Sequence, residues 1–115
     1  MPLTQSYWPA DTSRPVLRTS IGAALSQAAS LCPDRLAIVE VVPQGVPSAV
    51  GASATDRTWT YAQLLDDARR CASWLRANFA FGDRICVWAP NVPEWIVLQY
   101  GAALAGVTLV TGNPR

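Results

Sequence analysis

Between Arg84 and Thr111 the order of residue types leaves the chain few ways to fold. Arg84 to Trp88 is short and apolar, as a buried strand should be, and Pro90 then breaks the ladder because proline brings no amide donor. Asn91, with Glu94 three positions later, has the spacing of a capping box and predicts a helix from about Val92 to Ala105. Trp95, Ile96, Val97, Leu98, Tyr100, Ala103 and Leu104 surround the axis of that helix, so it must be covered on most sides. Gly106 suits a left-handed C-cap, and Val107 to Thr111 resumes a strand. A strand, a helix and a strand at this spacing define a parallel crossover, with the right-handed sense expected. The stretch Trp95 to Val110 is apolar, but it falls short of the roughly 20 residues a spanning helix wants. It is also interrupted by Gln99, Gly101, Gly106 and Thr108, so no transmembrane segment is expected.

The preceding residues extend this α/β reading. Residues 1–18, rich in Pro, Ser and Thr without periodicity, read as an extended lead-in. Thr19 or Ser20 can cap a first helix whose Ile21, Leu25, Ala28 and Leu31 share one face, and Pro33 with Asp34 ends it. Leu36 to Val42 is β-branched and closed by Pro43. A loop over Pro43 to Asp56 leads to a return strand, Arg57 to Thr60, giving a long-looped β-hairpin. Thr60 and Gln63 form a second capping box, for a helix from Tyr61 to about Asn78. Leu64, Ala68, Cys71 and Leu75 make its apolar stripe, with Leu65, Ala72 and Phe79 beside them. Asp66, Asp67, Arg69 and Arg70 occupy the opposite side, where a solvated face with weak helix pairing is the plain account. Gly82 and Asp83 turn the chain into the crossover.

Composition excludes several chemistries. With 115 residues, half of them apolar, the chain can build one modest core. Nine Arg against eight acidic residues leave a net charge of +1, without the basic stripe that nucleic acid demands. There is no His and no Lys, which removes the commonest general base and every ammonium nucleophile. Cys32, Cys71 and Cys86 share no metal-ligand spacing and lie in apolar runs, so reduced core thiols are expected. The N-terminus has neither a basic start nor an apolar run of signal-peptide type, which points to a cytoplasmic location.

Two segments together resemble a known family. Thr58-Trp59-Thr60-Tyr61-Ala62-Gln63-Leu64 is similar to the first core motif of the adenylate-forming enzymes. Gly82-Asp83-Arg84-Ile85-Cys86-Val87-Trp88-Ala89-Pro90-Asn91-Val92-Pro93-Glu94-Trp95 resembles their Gly-Asp-Arg to Pro-Asn-x-Pro-Glu segment and is the more specific signal. Ala103 to Val110 looks like the second core motif, and Asn113-Pro114 follows it as in that family. The resemblance runs from about Ser20 to Arg115, and Ser6-Tyr7, Pro15-Val16-Leu17 and Thr19-Ser20-Ile21-Gly22 look like the lead-in of fatty-acyl-CoA synthetases.

The resemblance implies an AMP-forming acyl-CoA synthetase of the AMP-dependent synthetase/ligase family. ATP would activate a carboxylic acid, a fatty acid in the narrower reading, to an acyl-adenylate that coenzyme A captures, with magnesium offsetting phosphate charge. Residues 19–115 would then be part of the larger N-terminal AMP-binding domain, ending before the phosphate-binding loop, and the rest of the synthetase would be the expected partner. The family's Ser/Thr/Gly-rich loop with its lysine has no counterpart here, and neither has its late catalytic lysine. No catalytic, cofactor-binding or metal-binding residue is therefore assigned in this chain. In related synthetases the segment after the second core motif approaches the coenzyme A channel, which would place Gly112 and Asn113 near its wall. Trp59, Trp88 and Trp95 are expected to supply apolar area to the core. The competing readings are a small nucleotide- or acyl-binding module and an interaction protein docking through its sheet edge and tryptophans. Against the first, no Gly-rich phosphate loop follows either strand.

Overall fold

The computed structural model describes residues 9–41 and 57–112. Its elements run α1 (Ile21–Leu31), β1 (Leu36–Val39), β2 (Thr58–Thr60), α2 (Tyr61–Asn78), β3 (Arg84–Trp88), α3 (Glu94–Ala105) and β4 (Thr108–Gly112). β1 and β2 pair antiparallel across a bulge between Leu36 and Ile38, while β3 and β4 pair parallel, from Arg84 opposite Thr108 to Trp88 opposite Gly112. The α/β class, the hairpin, the capped second helix and the parallel crossover all stand as the residue pattern demands. The loop expected over Pro43 to Asp56, with Val42 before it, lies outside the described residues, as do residues 1–8. Residues 9–18 are exposed and carry neither helix nor strand.

Local chemistry accounts for most boundaries. Ser20 caps α1 by accepting the Ala23 amide at 3.2 Å. Thr60 and Gln63 complete their box: the Thr60 hydroxyl accepts the Gln63 amide at 3.2 Å and the Gln63 side chain accepts the Thr60 amide at 2.8 Å. Gly106 ends α3 at φ 76°, a left-handed value that an L side chain resists. The only other positive-φ glycine among the described residues is Gly82, in the turn before β3, and its amide donates to the Gly106 carbonyl at 2.8 Å. The two turns that launch β3 and β4 are thus tied together, and Thr108 adds a 2.7 Å bond to Asp83.

The core has two connected parts. Leu25, Ala29, Leu64, Leu65 and Ala68 pack α1 onto α2, and Ala72, Leu75, Ala102, Ala105 and Val107 pack α2 onto α3 and the start of β4. Small residues set the closest approaches. A Cβ at Gly101 would lie 2.6 Å from the Cys71 Sγ, and one at Gly22 would lie 2.6 Å from Leu104.

Four expectations are corrected. The buried stripe of α1 is Gly22, Leu25 and Ala29, with Ile21 and Leu31 exposed and Ala28 only half-buried, because the helix turns Gly22 toward Leu104 of α3 and Leu25 and Ala29 onto α2. β3 is not buried throughout: Arg84, Cys86 and Trp88 alternate outward while Ile85 and Val87 face the helices, since a strand directs successive side chains to opposite faces. Trp88 is consequently 76% exposed and adds nothing to the core, and Cys86 is exposed while Cys32 and Cys71 are half-buried, all three free.

The α3 start also differs. The helix begins at Glu94, its cap position is Pro93 in helical geometry, and neither Asn91 nor any other side chain caps it. Pro93 has the fixed φ of a first-turn residue, and its carbonyl and that of Val92 accept the Ile96 and Trp95 amides at 2.9 and 3.0 Å. Glu94 is drawn instead to an arginine from the hairpin. Finally, β4 starts one residue later than expected, because the Val107 amide still bonds back to Ala102.

Candidate functional site

The carboxyl ends of parallel strands are where α/β sheets hold ligands, and β3 and β4 end at a cleft. Ala89, Pro90, Asn91, Trp95, Thr111 and Gly112 line an open volume of about 260 Å³. Pro90 stops the β3 ladder and forces the chain outward, which opens the near wall; α3 supplies the floor through Trp95. The Trp95 indole Nε1 is buried and has no hydrogen-bond partner among the described residues. Asn91 is exposed at the rim. Among the described residues no acid, base or thiol lines this space, so none of them could move a proton there.

Beside it lies the most connected charged cluster of the described residues. Arg57 makes a fork to Glu40, through Nε at 2.5 Å and Nη2 at 3.1 Å, and reaches Glu94 through Nη1 at 2.6 Å. The guanidinium also stands 5.3 Å from the centre of the Trp59 ring. Hydrogen bonds to both carboxylates push the Arg57 pKa further up, and the Arg57 hydrogen bond holds the Glu94 carboxyl below its ordinary value. Geometry assigns this group a positioning role: it ties the hairpin to the first turn of α3, whose preceding loop forms the cleft wall.

A pH dependence follows. Because the folded Glu94 value is depressed, its contribution is present above the unfolded value of about 4.3 and is lost as pH falls through the folded value. Thermal melts between about pH 5 and pH 3 should therefore show acid destabilisation that is smaller in Arg57→Gln than in the wild type. Equal acid sensitivity in both proteins would remove the ion pair from the account.

The expectations for site residues resolve as follows. Gly112 lines the cleft, and Asn113 lies outside the described residues. Trp59 is half-buried and donates its indole N–H to Asp67 at 2.9 Å, so Asp67 is less solvated than its helix face suggested. Arg70 pairs with both Asp66 and Asp67 across one helical turn, as the charge spacing anticipates. Sequence reasoning missed the unpartnered indole of Trp95 and the bridge from Arg57 to Glu94. Among the described residues no three His, Cys, Asp or Glu side chains converge as metal ligands, and no helix is long and apolar enough to cross a membrane.

The comparisons with known proteins agree with this architecture. The sequence pattern of the family described as AMP-binding enzyme matches residues 25–115. The mitochondrial medium-chain acyl-CoA ligase of Danio rerio is 32% identical over 113 residues, which is 97% of this chain and 17% of that protein. The structure of a Mycobacterium tuberculosis fatty acyl CoA synthetase superposes with a TM-score of 0.68 at 40% identity, covering 84% of this chain and 17% of that one. The N-terminal domain of FACL13 from Mycobacterium tuberculosis gives 0.67 at 40% identity, covering 83% of this chain and 21% of that domain. The chain is a member of the AMP-binding enzyme family, the class to which acyl-CoA synthetases belong. It corresponds to a region within the N-terminal domain and spans about 17% of the length of the curated relatives it matches.

Proposed function

We propose that this chain is scaffold from an acyl-CoA synthetase that activates a fatty acid with ATP and passes the acyl group to coenzyme A, and that by itself it turns over nothing. The carrying observation is the cleft at the ends of β3 and β4, which Trp95 lines and where no titratable side chain stands among the described residues. A thin, uncharged chain, such as the pantetheine arm of coenzyme A, suits that uncharged lining, and Gly112 would stand in its wall. The described residues do not fit ATP with magnesium: no lysine exists to meet a phosphate, and no converging carboxylate set exists to hold the ion. On this reading adenylation belongs to residues other than those described.

Two measurements test the reading. The purified chain, given ATP, magnesium, a fatty acid and coenzyme A, should show neither ATP–pyrophosphate exchange nor thioester, and either signal above a blank would overturn the proposal. A hybrid in which this chain replaces the matching segment of the Mycobacterium tuberculosis synthetase should make acyl-CoA. A folded hybrid that makes none would equally count against it.

A further inference from the structure

The loop from Ala89 to Pro93 stands between two open volumes. Ala89, Pro90 and Asn91 face the cleft, whereas Asn91, Val92 and Pro93, with Ile96 of α3, face a second groove of about 210 Å³. The far side of that groove is formed by the end of β1 and the two residues after it, Glu40 and Val41. Asn91 lines both spaces, so the loop is a partition one chain thick. With open space on both faces among the described residues, its position depends on how its ends are tied.

One end continues β3, whose Trp88 is paired with Gly112. The other end is the first turn of α3. The Val92 and Pro93 carbonyls accept amides of that turn, and among the described residues no backbone bond joins the partition to the hairpin. The polar tie across the gap is Arg57 to Glu94: Nη1 lies 2.6 Å and Nη2 3.4 Å from the Glu94 carboxylate, while Nε and Nη2 hold Glu40. The hairpin end of this tie is itself fixed. The Glu40 amide donates to the Arg57 carbonyl at 2.9 Å, and Trp59, against the guanidinium, is held by Asp67 of α2. Because proline fixes φ at positions 90 and 93, the loop has few ways to absorb a shift of Glu94. Such a shift passes to Asn91 on one side and to Trp95 on the other.

Resting on the synthetase reading, we infer that Arg57 is a positioning residue for the thioester-forming step: through Glu94 it places the Ala89–Asn91 wall and Trp95, and with them sets the fit of the acceptor's pantetheine arm. In that step the acceptor sulfur bonds to the acyl carbonyl carbon as the bond to the AMP phosphate oxygen breaks, and the thiol proton goes to water. Arg57 is not a cleft-lining residue, so it acts on the acceptor's fit through the wall and not on the reacting atoms.

The hybrid with the Mycobacterium tuberculosis synthetase tests this with two acceptors, coenzyme A and the phosphate-free pantetheine. Arg57→Gln should raise the KM for both by about ten- to a hundredfold, the cost of a misplacement of roughly 1 Å, and leave kcat and ATP–pyrophosphate exchange unchanged. Arg57→Lys keeps the charge but cannot fork to two carboxylates, and should recover only part of the loss. Glu94→Ala should raise the KM likewise and add little to Arg57→Gln, because both cut the same tie; it also carries the test should Arg57→Gln not fold. An active hybrid whose acceptor KM neither substitution changes overturns the positioning role alone. A rise confined to coenzyme A does so too, since it would mark attraction of the phosphates by the arginine charge. An equal fall of exchange and thioester formation also overturns it, as a general loss of fold. A hybrid that makes no acyl-CoA overturns the synthetase reading on which the proposal rests.

Discussion

Leu75→Ala should destabilise the chain by about 2–5 kcal/mol, the largest effect expected of any single truncation here. Leu75 is 1% exposed and is the largest fully buried side chain among the described residues. It sits where α2 meets α3 and the start of β4, among Ala72, Ala102, Ala105 and Val107. Ala72, Ala102 and Ala105 are small and fixed on the α2 and α3 backbones, so they do little to close the space a deleted isobutyl group leaves. A domain of this size has a total stability of only about 5–15 kcal/mol, so a large part of the folded population is at stake. Urea denaturation followed by circular dichroism measures it; a loss under about 1 kcal/mol would mean that α2 and α3 do not pack as described.

Gly101→Val is expected to cost at least the roughly 1–3 kcal/mol of an overpacked core, by the opposite mechanism. A Cβ at this position would meet the Cys71 Sγ at 2.6 Å, the Cys71 Cβ at 2.8 Å and the Ala68 carbonyl oxygen at 3.3 Å. The sulfur can rotate away, but the other two atoms belong to the body of α2 and yield only if the helices separate. Separation would uncover both core clusters together. Repeating Gly101→Val in a Cys71→Ala background separates the contributions: the penalty should shrink by the share the thiol imposes and persist in the share the helix body imposes. An unchanged penalty would place the clash elsewhere.

These two sites also mark what a reading of residue order can and cannot reach. Leu75 was visible as a core residue because the α2 stripe repeats at helical spacing from Leu64 to Leu75, and the Thr60–Gln63 box was visible because both partners are three residues apart. In α1 the apolar pattern favoured Ile21 and Leu31, yet packing selects Gly22 against Leu104 of α3 and Ala29 against α2, a choice made by distant elements. The same holds at α3. Asn91 and Glu94 had the spacing of a cap, but Glu94 found a better partner in Arg57, 37 residues earlier, and the proline at 93 set the helix start. Trp88 looked like core because it is large and apolar; its side of the sheet is uncovered among the described residues. The cleft could be anticipated only as a position, at the strand ends beside Gly112. That the Trp95 indole has no partner among the described residues depends on what fails to come near it, which no local pattern encodes.

The bond from Gly82 to Gly106 fixes more than two turns. Both strands set out from one common baseline and both run five residues, so the rims of the cleft stand level because equal numbers of pleats separate them from that baseline. Each residue is worth about 3.3 Å, and an odd change also turns every later side chain over. The strands therefore act as a matched pair of rulers: the cleft can be retuned by exchanging side chains, whereas a one-residue insertion in either strand would tilt its mouth and reverse its lining.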